Sequence, residues 1–202
     1  DLKVYREYTK VTRRFKEAEL VLKNAKIINV FTNEIITGDI AIEDGMIVGI
    51  GNYEGKQEHD MTGKYVCPGF IDSHLHLEST LVTPKELVTV ASRHGTTTFI
   101  VDPHESANVS GLAGINYILD QTEDASANVF VMMPSCVPAT SIDDNGCTLT
   151  AEDMTQYLDN ERILGLGEVM DYISVVNADP GMHRKLDLFK NKVRDGHAPF
   201  LA

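Results

Sequence analysis

PGFIDSHLHLEST, from Pro68 to Thr80, places two histidines, His74 and His76, one residue apart. In an extended strand, alternate side chains face the same way. His74 and His76 therefore aim two imidazoles at one point, while Leu75 and Leu77 face the opposite side. Two neutral imidazoles converging from a rigid strand begin a metal site. An H-x-H alone is weak, because two polar residues that close a strand and bond to loops make the same pattern. Its meaning rests on what surrounds it.

Downstream, the chain takes on a strand, loop, helix rhythm. Lys64-Tyr65-Val66-Cys67 approaches the histidine pair as a strand. Thr83-Pro84-Lys85-Glu86 opens a helix, with Thr83 at the cap, proline in the first turn and Glu86 at the third helical position. That helix closes at Arg93-His94-Gly95, a cationic last turn with glycine just past it. The β-branched run Thr96–Val101 follows and ends in Asp102-Pro103-His104-Glu105. A helix is predicted near 110–121, then the strand Asn128–Met133, a helix near 151–159, and the run Ile163–Glu168. A last helix near 181–191 precedes Lys192–His197. Strands separated by helices imply a parallel sheet. Polar residues gather at the strand ends: His74 and His76, His104 and Glu105, Ser135, Glu168, and His197. That is where TIM-barrel active sites lie. No G-x-G-x-x-G or P-loop follows the first strand, which argues against a nucleotide cofactor.

Upstream, residues 19–66 are short β-rich runs, and Glu43-Asp44-Gly45 between two apolar runs is a hairpin signal. Residues 1–17 read as a leading helix, 18–66 as a small antiparallel β module of sandwich type, and 67–202 as the first half of an α/β, TIM-barrel-like (β/α) barrel. A complete barrel takes ~250 residues, so this one is expected not to close within the chain and the chain to be an N-terminal portion. Eighteen Lys and Arg against 30 Asp and Glu leave a net charge of −12 over 202 residues. An acidic chain is a poor match for a phosphate backbone, so no nucleic-acid partner is expected. Lys10, Arg13, Arg14 and Lys16 are interleaved with acids and read as a solvated helix face. No apolar run approaches the ~20 residues of a membrane span, and no signal-peptide core opens the chain. Cys67, Cys136 and Cys147 are too widely spaced for a zinc ribbon or a disulfide framework, so a cytoplasmic location is expected.

The candidate ligands each carry an ordinary alternative. Glu168, in Gly165-Leu166-Gly167-Glu168, could bridge two divalent ions with one oxygen each, or serve as a first-turn acid for the next helix. His197 offers a further imidazole, or sits in a surface turn. His104 and Glu105 could relay protons or cap a helix. Glu78 could accept a hydrogen bond from substrate or be a loop acid, and Asp72 reads as structural. Ser135-Cys136 lacks a nucleophile elbow. Met132 and Met133 read as core, and His59, His94 and His183 as surface or helix-end residues. Taken together, imidazoles and carboxylates at successive strand ends, with no thiolate, suit Mn²⁺, Fe²⁺ or Zn²⁺ and metal-assisted hydrolysis.

With these motifs in place, the chain resembles the amidohydrolase superfamily, and within it the bacterial adenine deaminases. The resemblance runs through the leading ELVLKNAKIINVFTNEIITGDIAIEDGMIVGIG, then PGFIDSHLHLEST, GTTTFIVDPHESANVSG, GLGEVMD and DGHAP. It implies hydrolysis of adenine to hypoxanthine and ammonia at a binuclear Mn²⁺ or Fe²⁺ centre, Zn²⁺ being a third possibility. It implies that His74, His76, Glu168 and His197 are the ligands, with Glu168 bridging. His104 and Glu105 match a family motif near the site and stand as the catalytic candidates, with Glu78 toward substrate. A free purine would be the small-molecule partner, and the full-length form a homo-oligomer. Related dihydroorotases place a carbamylated lysine where this chain has Glu168. A late aspartate of the family pattern is missing, so the chain alone is expected to be inactive. Cyclic-amide hydrolysis, or an inactive fragment, are the other readings.

Overall fold

In the computed structural model, which describes residues 2–199, the chain divides into two compact units between Pro68 and Gly69. The first unit runs α1 (Leu2–Thr12), β1 (Ala18–Asn29), β2 (Glu34–Glu43), β3 (Met46–Gly51), β4 (Gly55–Asp60) and β5 (Tyr65–Val66). The leading helix stops at Thr12, short of residue 17. Arg14 takes a left-handed φ of 60°, and the N–H groups of Phe15 and Arg14 reach back to the carbonyls of Lys10 and Val11. This is a Schellman stop built on a non-glycine residue.

The runs read separately as Glu19–Leu22 and Ala25–Val30 fuse into the single strand β1. An irregularity between Leu22 and Ala25 absorbs Asn24 at φ 58°. Asp44 and Gly45, at φ 51° and 70°, make the tight turn between β2 and β3. Here the structure departs from the expected antiparallel sandwich. β1–β2 and β2–β3 are antiparallel, but β4 and β5 both run parallel to β1 along its other edge. The unit therefore holds one mixed five-stranded sheet among the described residues. α1 supplies the second layer, with Val11 buried against Ala18, Val21, Ala41 and Tyr53. Alternating apolar residues say which side of a strand is buried, but not which neighbour completes its ladder.

A buried ion pair ties this unit together. Asp39, 5% exposed, accepts from Lys23 Nζ at 2.7 Å, Asn24 N at 2.9 Å and Tyr53 N at 3.0 Å. Burial pushes its carboxyl up, but the lysine and the two N–H groups outweigh that and hold it below the ordinary 3.8. The same bond to Asp39 holds Lys23 above its ordinary 10.5. A depressed acid stabilises above its unfolded pKa and loses that contribution as pH falls through the folded value. A raised lysine stabilises below its unfolded pKa and loses it as pH rises through the folded value. Asp39→Asn is thus expected to flatten the acid limb of a urea-unfolding profile, starting just below pH 4. Near neutrality it should cost about 2–3 kcal/mol, short of the ~3–5 of a fully buried pair, because Lys23 keeps 22% of its side chain exposed. A wild-type acid limb in the variant would contradict this account.

The second unit alternates β6 (Phe70–Leu75), α2 (Pro84–Ser92), β7 (Thr96–Val101), α3 (His104–Ser110), α4 (Leu112–Gln121), β8 (Asn128–Met133), α5 (Ala151–Met154), β9 (Ile163–Val169), α6 (Tyr172–Val176), α7 (Pro180–Leu188) and β10 (Val193–Gly196). The five strands form one curled parallel sheet in the order β10-β9-β8-β7-β6, a half-barrel. Within it, β6 and β10 each have a single partner strand among the described residues. Phe99, Val101, Val131, Met133, Ile163 and Leu166 from the strands bury against Val88, Ile115, Ile118 and Phe189. Near-continuous apolar strands are what a parallel sheet covered by helices requires.

The boundaries of β7 and β8 match the sequence reading, and β9 extends one residue further. Other elements differ, among them the helix expected near 151–159, whose α-helical part ends at Met154. The strand that carries His74 is β6, while Tyr65-Val66 belongs to the sheet of the first unit. The helix predicted near 110–121 is α4, and α3, which the sequence reading did not predict, precedes it; Gly111, at φ 62° and ψ −135°, keeps the two from being one continuous helix. A Cβ on Gly111 would also run into Cys147 Sγ. α6, of five residues, is too short to show a helical period in sequence.

Candidate metal centre

His74 lies inside β6 and His76 one residue beyond its end. Leu77 is fully buried on the other side, so the alternation read from sequence is realised. The Asp72 carboxylate accepts the N–H of His74 at 3.4 Å, a local structural contact. The segment after β7 then locks the pair. Asp102 N donates to Leu75 O at 3.0 Å, and Asp102 O lies 2.7 Å from His76 Nδ1. A carbonyl oxygen can only accept, so Nδ1 carries the proton and Nε2 is left with its lone pair toward the centre. His74 Nε2 and His76 Nε2 are 3.1 Å apart.

Glu168 sits near the end of β9, and its side chain is 13% exposed. Its two oxygens serve different imidazoles. Oε1 lies 3.2 Å from His74 Nε2 and 3.1 Å from His197 Nε2. Oε2 lies 3.5 Å from His76 Nε2 and 3.3 Å from His104 Nε2. The helix-capping alternative goes to another residue, since Asp171 caps α6 by accepting from Ser174 N. The glycines around Glu168 act by close packing. A Cβ on Gly165 would strike the Val193 carbonyl of β10, and one on Gly167 would strike the Asp102 carboxylate. His197 follows β10 and is anchored by its N–H to Val169 O at 3.1 Å.

His104 is the first residue of α3, and its ring centre lies 4.6 Å from that of His76. Glu105 turns aside and accepts a hydrogen bond from Ser79 Oγ. Glu78 Oε1 takes the N–H groups of Glu105 and Ser106 at 3.1 and 3.4 Å, closing the N-terminus of α3 from across the sequence. Its Oε2 is buried without a hydrogen-bond partner among the described residues. The structure thus gathers His74, His76, His104, Glu168 and His197 around one point and leaves Glu78 and Glu105 at its margin.

Two acids escaped the sequence reading. Asp195 Oδ2 lies 3.6 Å from His74 Nδ1. Asp102 is 1% exposed, and neither of its oxygens has a hydrogen-bond partner among the described residues. Burial and the Glu168 carboxylate push it up to about 7, with His76 pulling the other way. The signal for Asp102 was its place as the first polar residue after an apolar strand.

The donor set fits a divalent metal. Ligand atoms of His74, His76 and Glu168 all lie within 4.8 Å of one another. Every donor is an imidazole nitrogen or a carboxylate oxygen, the set preferred by borderline and hard first-row ions.

Comparison with known proteins gives a consistent picture. A family model described as "Amidohydrolase family" matches residues 65–197. An adenine deaminase of Desulfitobacterium hafniense is 61% identical over 92% of this chain and 33% of its own length. One from Clostridium acetobutylicum is 53% identical over 91% of the chain and 33% of its own length. The chain spans about a third of the curated relatives it matches. Among solved structures, a D-aminoacylase aligns with a TM-score of 0.54 at 19% identity, over 77% of this chain and 39% of that one. A mutant atrazine chlorohydrolase from Arthrobacter aurescens, complexed with zinc and atraton, aligns with a TM-score of 0.52 at 14% identity, over 68% and 41%. These two likenesses bear on the fold.

Proposed function

The chain belongs to the amidohydrolase family, and from that premise we propose that the protein it represents deaminates adenine hydrolytically, giving hypoxanthine and ammonia. The observation that carries this reading is the Glu168 carboxylate, whose two oxygens each face a different pair of imidazoles. His74, His76, Glu168 and His197 would hold two divalent ions, Mn²⁺ or Fe²⁺ with Zn²⁺ as the alternative, and Glu168 would bridge them. Bound there, the metals would supply a Lewis acid and a water acidified toward neutrality. The residues of the chain do the rest. The Asp102 carbonyl keeps His76 in the tautomer that offers Nε2. His104, 3.3 Å from Glu168 Oε2, moves protons between the site and the leaving amine, and Glu105, turned toward Ser79, takes part from the margin of the site. Glu78 acts as a positioning residue: its Oε1 holds the N-terminus of α3, and with it His104, while its Oε2 is buried. The relatives named for this activity, at up to 61% identity, support the choice of substrate. The same reading makes the whole protein a cytoplasmic homo-oligomer acting on a free purine. The charge of −12 agrees with a nucleobase rather than a nucleic acid as partner. No helix among the described residues is long and apolar enough to cross a membrane.

The test is a chimera in which this chain replaces the matching third of the Desulfitobacterium relative. Metal-loaded chimera should convert adenine and release one ammonia per turnover, while the 202-residue chain alone should not. A folded, metal-bearing chimera that ignores adenine but opens a cyclic amide would overturn the substrate assignment. Turnover by the isolated chain would overturn the view that the five strands do not make a complete site.

A further inference from the structure

A cavity of about 480 Å³ opens between the residues that follow β8, the start of α6, and the helices α5 and α7. It falls within the range of small-molecule sites, and none of the metal-centre residues lines it. Lys185 of α7 lines this space and is 9% exposed. Its Nζ donates to Ser135 O at 2.7 Å, the one acceptor it meets among the described residues. An ammonium carries three protons, so two lack a protein partner there. No carboxylate oxygen of the described residues lies within 4.0 Å of this nitrogen. Desolvation lowers the pKa of Lys185 against the pull of Cys136, Asp179 and Asp153.

The acids around the cavity are committed elsewhere. Asp171 accepts from Ser174 N and Oγ at 3.0 and 2.5 Å, and Asp179 accepts from Met182 N at 2.9 Å. Asp153 accepts from Thr150 N and Oγ1 at 2.8 and 2.7 Å. Each of these carboxylates sits at a helix N-terminus, where the helix dipole offsets its charge. Glu152 faces Arg184 on the exposed rim at 3.7 Å. What remains is the buried Lys185 amine, with spare donors and no carboxylate in direct contact among the described residues. Such a group is costly unless something brings it both charge and acceptors. A neutral ligand brings acceptors without charge, and a cation would meet Lys185 and Arg184.

We propose that this cavity is a binding site for a small oxyanion, a carboxylate or phosphate group of a small molecule, held by the ammonium of Lys185. The site is separate from the metal centre and stands whatever substrate that centre takes. Ser135 lies between the two, giving its carbonyl to Lys185 and its hydroxyl to Glu168 O at 2.7 Å.

The test uses the 202-residue chain with inorganic phosphate and acetate as probes, and sodium chloride at matched ionic strength as control. Calorimetry and thermal melting should show saturable binding of at least one oxyanion and none of chloride. Binding of phosphate alone assigns a phosphoryl ligand, and of acetate alone a carboxylate. Lys185→Met, and Lys185→Gln should the first fail to fold, are each expected to weaken that binding at least tenfold. Lys185→Arg should retain it. Absence of saturable binding by either oxyanion, or wild-type affinity in a folded Met or Gln variant, would overturn the proposal.

Discussion

Glu168→Ala is expected to lower the affinity of this chain for Mn²⁺ or Zn²⁺ by about 100-fold or more. Loss of a single supporting partner behind a metal ligand already costs 10–100-fold, and Glu168 stands within 3.5 Å of four imidazoles. The fold should survive. The backbone contacts at this end of β9, Ser135 Oγ to Glu168 O and His197 N to Val169 O, do not involve the deleted carboxylate. Equilibrium dialysis with metal analysis reads the affinity, and circular dichroism reads the fold. Glu168→Gln separates charge from shape, since it keeps one carbonyl oxygen but cannot bridge two cations with negative charge. A folded alanine variant that binds metal within a fewfold of wild type would remove Glu168 from the centre.

Phe99→Ala is expected to have the largest effect on stability. Phe99 lies in β7, is 2% exposed, and stands in register with Asp72 of β6 and Val129 of β8. Truncating a buried phenylalanine costs ~3–5 kcal/mol, the lost transfer energy plus the cavity left behind. In a chain of this size each kcal/mol moves the melting temperature by ~2–4 °C, so a drop of roughly 6–20 °C is expected. Val109→Ala, at a side chain in a residue 73% exposed, should stay within ~0.5 kcal/mol of wild type. A Phe99→Ala shift no larger than the Val109→Ala shift would mean that β7 does not anchor the half-barrel core. Because β7 delivers Asp102 to Leu75 and His76, the Phe99 variant should also bind metal more weakly.

Much of the half-barrel was legible because burial leaves a local signature. Thr96–Val101 and Asn128–Met133 read as β-branched and apolar runs with visible ends, because Phe99, Val101, Val129 and Val131–Met133 are buried. Thr83-Pro84 and Gly95 bracket α2 because helix ends impose fixed chemistry, with Pro84 in the first turn and Gly95 at φ 102°. The pairing of His74 with His76 was legible for the same kind of reason, since an extended backbone fixes a two-residue period of side-chain direction.

What the sequence by itself determined, then, is the alternation of strands and helices, the polar residues at the strand ends, and the motifs that resemble the amidohydrolases. Only the tertiary structure decided that β4 and β5 run parallel to β1, that Glu78 closes α3, and that His104 reaches Glu168 from a helix 64 positions earlier in the chain. The same holds for Asp102, whose carboxylate has no hydrogen-bond partner among the described residues and packs against Gly167, and for Lys185 beside Ser135. Local pattern records whether a side chain is buried and with what period. Which distant group it meets depends on ladder partners and on approaches that a single Cβ would block, and those exist only once the chain has folded.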